Sequence, residues 1–88
     1  MATVAGTKLK SLGETFNDRV SAEELNYALS YIDFGEEPLA LEMLCDHICE
    51  HEIIITKNEY ESICKLNSSL NNPLDKNVIN HLKSLISS

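Results

Sequence analysis

The sequence predicts an all-α protein, a compact single-domain bundle of about five short helices. Three observations predict it. Two Ser/Thr-x-x-Glu starts, Ser21/Glu24 and Thr56/Glu59, are each flanked by an apolar pair. Apolar residues recur at three- and four-residue spacing. The punctuation, Gly35 and the Asn71-Asn72-Pro73 run, falls between those stretches. A chain of 88 residues is read as one domain, 1–88.

The first helix is expected over Thr7 to Asn17, with Leu9, Leu12 and Phe16 on one face. Gly13 inside it weakens the helix by ~1 kcal/mol relative to Ala. The second begins after Ser21, with Val20 and Leu25 as a hydrophobic staple, and runs to Phe34 before Gly35. Leu25, Ala28, Leu29 and Ile32 form its inward stripe. The third opens at Pro38, behind Glu36 and Glu37, which suit the positive end of the helix dipole, and runs to His51. Ile53, Ile54 and Ile55 read as an extended link with no obvious pairing partner. The fourth starts at the Thr56/Glu59 capping box, with Ile55 and Tyr60 as its staple, and ends near Leu70. Asn72 is expected to cap a fifth helix whose first residue is Pro73, with Leu74, Val78, Leu82 and Leu85 inward.

Charge is distributed unevenly. The net charge is −7, yet no Lys or Arg lies between Val20 and Thr56, where nine acids stand. The rest of the chain has five acids and seven bases, a net of +2. Such a field repels nucleic acid and attracts cations or a basic protein. No apolar run approaches the ~20 residues that span a bilayer. The first residues lack the build of a secretory signal, so a cytoplasmic location is expected. Three cysteines, Cys45, Cys49 and Cys64, argue for reduced thiols rather than a disulfide framework.

The stretch Cys45 to His51, "CDHICEH", contains a literal H-x-x-E-H, the string of one class of zinc peptidases. On a helix the two cysteines and the two histidines fall on nearly opposite faces, so one ion cannot take all four. His47 and His51 alone have the i, i+4 spacing of a chelating pair, but the string supplies no third ligand and Glu50 lies ~60–90° away. The expectation is therefore no metal, no cofactor and no catalytic residue, with His47 and His51 as half-buried, hydrogen-bonded neighbours of the core. No phosphate-cradling loop or nucleophile elbow is present either, and the chain is read as a non-enzyme.

The next face of the same helix carries Glu42, Asp46 and Glu50 at four-residue spacing, with Leu39 and Met43 on or beside the stripe. Like charges at this spacing cost a helix a few tenths of a kcal/mol per pair. An acidic ridge with apolar neighbours is unfavourable as a solvent face and sensible as an interface. Asp33 and Glu36 extend the acidic surface. On helix two, Tyr27, Tyr31 and Phe34 lie opposite the aliphatic stripe. Either that helix is central in the bundle or these rings are anchors for a partner or a second copy, which leaves the oligomeric state open.

The segment Tyr27 to Ile63 resembles the MafI-type immunity proteins. The shared pieces are a "Y-[IL]-D-x-G-E" segment at Tyr31 to Glu36, an "LALE-x-LCD" helix at Leu39 to Asp46 and an "IT-x-x-E-Y-E" start at Ile55 to Glu61. Where that family favours "CDQLYE" this chain has "CDHICE". The resemblance implies an immunity protein of a polymorphic bacterial toxin system, akin to the CdiI proteins of contact-dependent inhibition. Its implied partner is a cognate toxin domain, such as an EndoU-type nuclease, with no direct nucleic-acid or membrane contact. The residues expected at that interface are Tyr27, Tyr31, Asp33, Glu36, Leu39, Glu42, Met43, Asp46 and Glu50. A small acidic adaptor with another basic partner is the alternative. A metal-dependent hydrolase is a third reading, requiring zinc on His47 and His51.

Overall fold

Five α-helices wrap one apolar core in the computed structural model, which describes residues 3–87. They are α1 (Val4–Glu14), α2 (Ala22–Ser30), α3 (Glu37–Glu50), α4 (Lys57–Ser69) and α5 (Lys76–Ser84), with a 3-10 turn over Tyr31–Phe34. The all-α expectation holds. The central element is α3, which packs against each of the other four helices. Its Leu41, Leu44, Cys45 and Ile48 are fully buried, as its periodicity predicts. Phe16 and Leu9 from the first segment, Ile63 from α4 and Leu82 from α5 meet them in the same core.

Each helix start has an identifiable cause. α1 begins three residues earlier than expected because Thr3 caps it: the Gly6 N–H donates to Thr3 Oγ1 at 2.9 Å. It ends at Glu14, short of Asn17, where tighter backbone bonds close a turn, Thr15 to Leu12 and Phe16 to Gly13. Gly13 has a packing role the sequence does not reveal. A Cβ there would stand 2.9 Å from Leu29 Cδ2, so the glycine lets α1 lie close against α2. The second helix tightens into a 3-10 turn after Ser30 instead of running as α-helix to Phe34. Gly35 at φ 71° closes it as expected. Its N–H bonds to Ile32 O, and the Glu36 N–H bonds to Tyr31 O, the two bonds of a Schellman stop.

The Thr56/Glu59 capping box forms completely. The Glu59 N–H donates to Thr56 Oγ1 at 3.1 Å and the Thr56 N–H donates to Glu59 Oε1 at 2.8 Å. Thr56→Ala is expected to lower stability by about 0.5–2 kcal/mol, and an unchanged chemical-denaturation midpoint would refute the cap's contribution. The Ser21/Glu24 box forms only by half. The Glu24 N–H reaches Ser21 Oγ at 3.2 Å, but the Glu24 carboxylate turns away from the Ser21 backbone.

Two further expectations are corrected. Pro73 does not start the fifth helix and Asn72 does not cap it. Asn71 and Asn72 take left-handed φ angles of 67° and 57°, a conformation Asn tolerates, and the chain runs on to Asp75. The Asp75 carboxylate accepts from the Asn77 N–H at 3.1 Å and caps α5. Leu74 and Leu85, placed on the inward stripe, are buried but flank the helix; Val78 is half-buried. The isoleucine link does find a partner. Ile55 forms an isolated parallel bridge with Ile86, through Ile55 N–H to Leu85 O and Ser87 N–H to Ile55 O, both 3.0 Å. This bridge ties the chain after α5 to the start of α4.

Candidate functional site

Glu42, Asp46 and Glu50 are all exposed on α3. The fold adds what the helix alone does not show. Glu42, Met43 and Asp46 line a cleft of about 250 Å³ whose other wall is Pro73, Leu74, Asp75 and Val78 from the start of α5. Met43, Leu74 and Val78 make an apolar floor, and Glu42, Asp46 and Asp75 make an acidic rim. Glu50 is not among this cleft's lining residues. The sequence does not point to Asp75, because placing the helix start at Pro73 hides its role as both cap and rim. A cleft of this make-up suits a lysine or arginine side chain, whose stem packs on apolar surface while its head pairs with carboxylates.

The remaining expected contact residues separate into other places. Leu39 is half-buried and Glu36 is exposed. Asp33 lies on a different cleft, with Lys10, Glu14 and Asn26 among its neighbours. Tyr27 is 54% exposed and Phe34 78% exposed, so the second helix is not central: these rings face outward. Tyr31 is half-buried against the core. It meets Tyr27 edge-on, centroids 5.5 Å apart, and its hydroxyl donates to the Tyr27 hydroxyl at 2.9 Å. The two rings are held as a preformed unit.

The two histidines stand on the α2-facing side of α3. His51 Nε2 lies 3.1 Å from Glu24 Oε2, and His47 Nδ1 lies 3.1 Å from the same oxygen. The expectation of two half-buried, hydrogen-bonded rings is met by neither histidine in full. His51 is exposed and bonded to Glu24. His47 is half-buried, with both ring nitrogens shielded from solvent and neither hydrogen-bonded among the described residues. Its approach to Glu24 lies off the N–H direction. The Glu24 carboxylate sits below the usual carboxylate range, chiefly through the His51 bond and then Ser21 Oγ. The His51 imidazole is raised above its ordinary value by the same bond. These three residues could hold a cation. The third donor, missing from the H-x-x-E-H string, comes from the unfinished capping box on α2.

The three cysteines are free thiols. Burial pushes Cys45 far up, and burial followed by Asp46 raises Cys49, so neither is an activated nucleophile. A further groove of about 530 Å³, lined mainly by hydroxyl and amide side chains with Lys8 and Lys65, runs between α1 and α4. No described helix is long and apolar enough to cross a membrane. No family model, no curated protein and no solved structure matches the chain.

Proposed function

We propose that this protein is a non-enzymatic inhibitor, an immunity protein that binds and neutralises a basic nuclease toxin domain in the cytoplasm. The carrying observation is the α3/α5 cleft, with Glu42, Asp46 and Asp75 around an apolar floor. Nuclease domains are basic where they grip the phosphate backbone, and an acidic surface covers such a groove and speeds encounter by steering. The resemblance of Tyr27–Ile63 to MafI-type immunity proteins supports the same reading. The exposed Tyr27 and Phe34 are available as apolar anchors elsewhere on the surface. An acidic adaptor for a basic partner outside toxin systems would use the same cleft. Growth protection separates the two: co-expression should rescue cells from a toxin encoded beside this gene, and no rescue removes the immunity reading.

The cleft gives a sharper expectation than the ridge alone. Glu42→Gln with Asp46→Asn should slow association with the toxin by about tenfold at low salt and flatten its salt dependence. Glu50→Gln, outside the cleft, should change it much less. The free double variant should be as stable as the parent or a few tenths of a kcal/mol more so, because repulsion along α3 is relieved. Association rates at two ionic strengths, beside unfolding midpoints, test this. Equal rates and equal salt slopes for parent and double variant would exclude the cleft as the contact.

A further inference from the structure

We infer that Glu24, His47 and His51 form a binding site for a divalent transition ion, zinc foremost, that clips α2 to α3. One ligand atom from each of the three lies within 4.8 Å of the others. Both histidine contacts converge on a single oxygen, Glu24 Oε2, at 3.1 Å. A tetrahedral ion with bonds of about 2.0–2.1 Å holds neighbouring donors about 3.3 Å apart. Each histidine therefore stands near coordination spacing from the carboxylate before any ion enters.

His47 supplies the second, independent observation. Its side chain is 12% exposed, and its two ring nitrogens are shielded from water without a hydrogen-bond partner among the described residues. A buried imidazole left in that condition is costly. Nδ1 is close to the carboxylate yet not directed at it as an N–H donor would be. An ion among the three donors satisfies that nitrogen. Glu24 is also held in a ligating orientation. Ser21 Oγ donates to its other oxygen, Oε1, at 3.0 Å, the kind of outer contact that aims a ligating carboxylate.

Two imidazoles and one carboxylate suit zinc, nickel, cobalt or copper over magnesium or calcium. Three protein donors leave a fourth position. The His51 and Glu24 side chains are 48% and 32% exposed, so water or another donor has access to the cluster. Glu50, the acid of the H-x-x-E-H string, is exposed and is not one of the three donors. The site stands apart from the α3/α5 cleft and does not depend on the partner proposed above.

The test is a cobalt titration of the reduced full chain, with zinc then added in competition. The expected result is one ion per chain, with visible bands of a four-coordinate nitrogen/oxygen site and no thiolate-to-cobalt charge transfer. Cys49→Ser with Cys64→Ser should leave the titration unchanged. Changes one shell out already cost about 10–100-fold in affinity, so loss of a direct ligand in His51→Ala or Glu24→Gln should cost at least about 100-fold. Both substitutions are at solvent-accessible side chains, and circular dichroism checks that the fold is kept. Zinc should also raise the thermal midpoint of the parent and not of His51→Ala. No saturable cobalt binding, a thiolate band, or parental affinity in folded His51→Ala and Glu24→Gln would each overturn the proposal.

Discussion

Glu59→Ala is expected to destabilise the protein by about 2–3 kcal/mol, more than removal of its capping partner Thr56. The reason is that one carboxylate closes two structures. Glu59 Oε1 accepts from the Thr56 N–H and completes the α4 capping box. The same group takes the Arg19 guanidinium in a two-pronged pair, at 3.0 Å on Oε1 and 2.6 Å on Oε2. Arg19 in turn donates to the Ile54 and Thr15 carbonyls and lies 4.3 Å over the Phe16 ring. The pair thus joins the turn after α1, the isoleucine link and the start of α4. Its side chains are 14% and 30% exposed, which makes it stronger than a surface pair while keeping the figure well below that of a fully buried one. For a domain of this size the loss corresponds to a fall in Tm of roughly 10–20 °C.

Glu59→Gln should separate the two roles, since the amide oxygen still caps Thr56 but carries no charge. The Arg19 bond holds the Glu59 carboxyl below its usual range against the opposing effect of burial, and the Thr56 N–H adds a smaller lowering of its own. A depressed carboxylate contributes stability above its unfolded value of about 4.3, and loses it as pH falls through the folded value. The gap in stability between parent and Glu59→Gln should therefore be full at neutral pH and shrink in acid. A gap that stays constant as pH is lowered would show that the ion pair contributes nothing.

The same pair illustrates what sequence reasoning can and cannot reach. Thr56 and Glu59 are three residues apart, and local chemistry dictates their bonds, so the α4 start is legible. Gly35 is legible for the same reason, as is the core stripe of α3, because burial follows a 3.6-residue period. Arg19 and Glu59 are forty positions apart, and nothing local pairs them. Ser21 and Glu24 carry the same capping signal as Thr56 and Glu59, but Glu24 has His47 and His51 to turn to. A tertiary partner overrides a local one, and that exchange assembles the three-donor corner. The acidic ridge is legible as a charge pattern on one helix. Its opposite wall is not, because Pro73 reads as a helix start and here precedes the start at Asp75.

Asn67→Ala is expected to cost about 1–3 kcal/mol, a large effect for a polar residue in a loop-facing position. Asn67 is 5% exposed, at the end of α4. Its Oδ1 accepts from the buried Leu74 N–H at 2.9 Å, and its Nδ2 reaches Asn72 Oδ1 at 3.5 Å. Its backbone carbonyl takes the Asn72 N–H at 2.7 Å. Leu74 belongs to neither helix, so without the amide its N–H would be buried and unpaired. Asn67→Leu tests whether volume or bonding matters, because it fills the space and offers no acceptor. Both variants should be destabilised, and the Leu74 amide should exchange its hydrogen faster in each. Parental stability in Asn67→Leu would show that the residue acts by packing alone. The consequence reaches the proposed contact surface. Asn67 pins the segment that carries Pro73, Leu74 and Asp75, most of one wall of the acidic cleft. Loosening that wall withdraws Asp75 from a fixed place opposite Glu42 and Asp46. Partner binding should then weaken in Asn67→Leu through faster dissociation, with little change in association, whereas loss of the rim charges on α3 acts first on association.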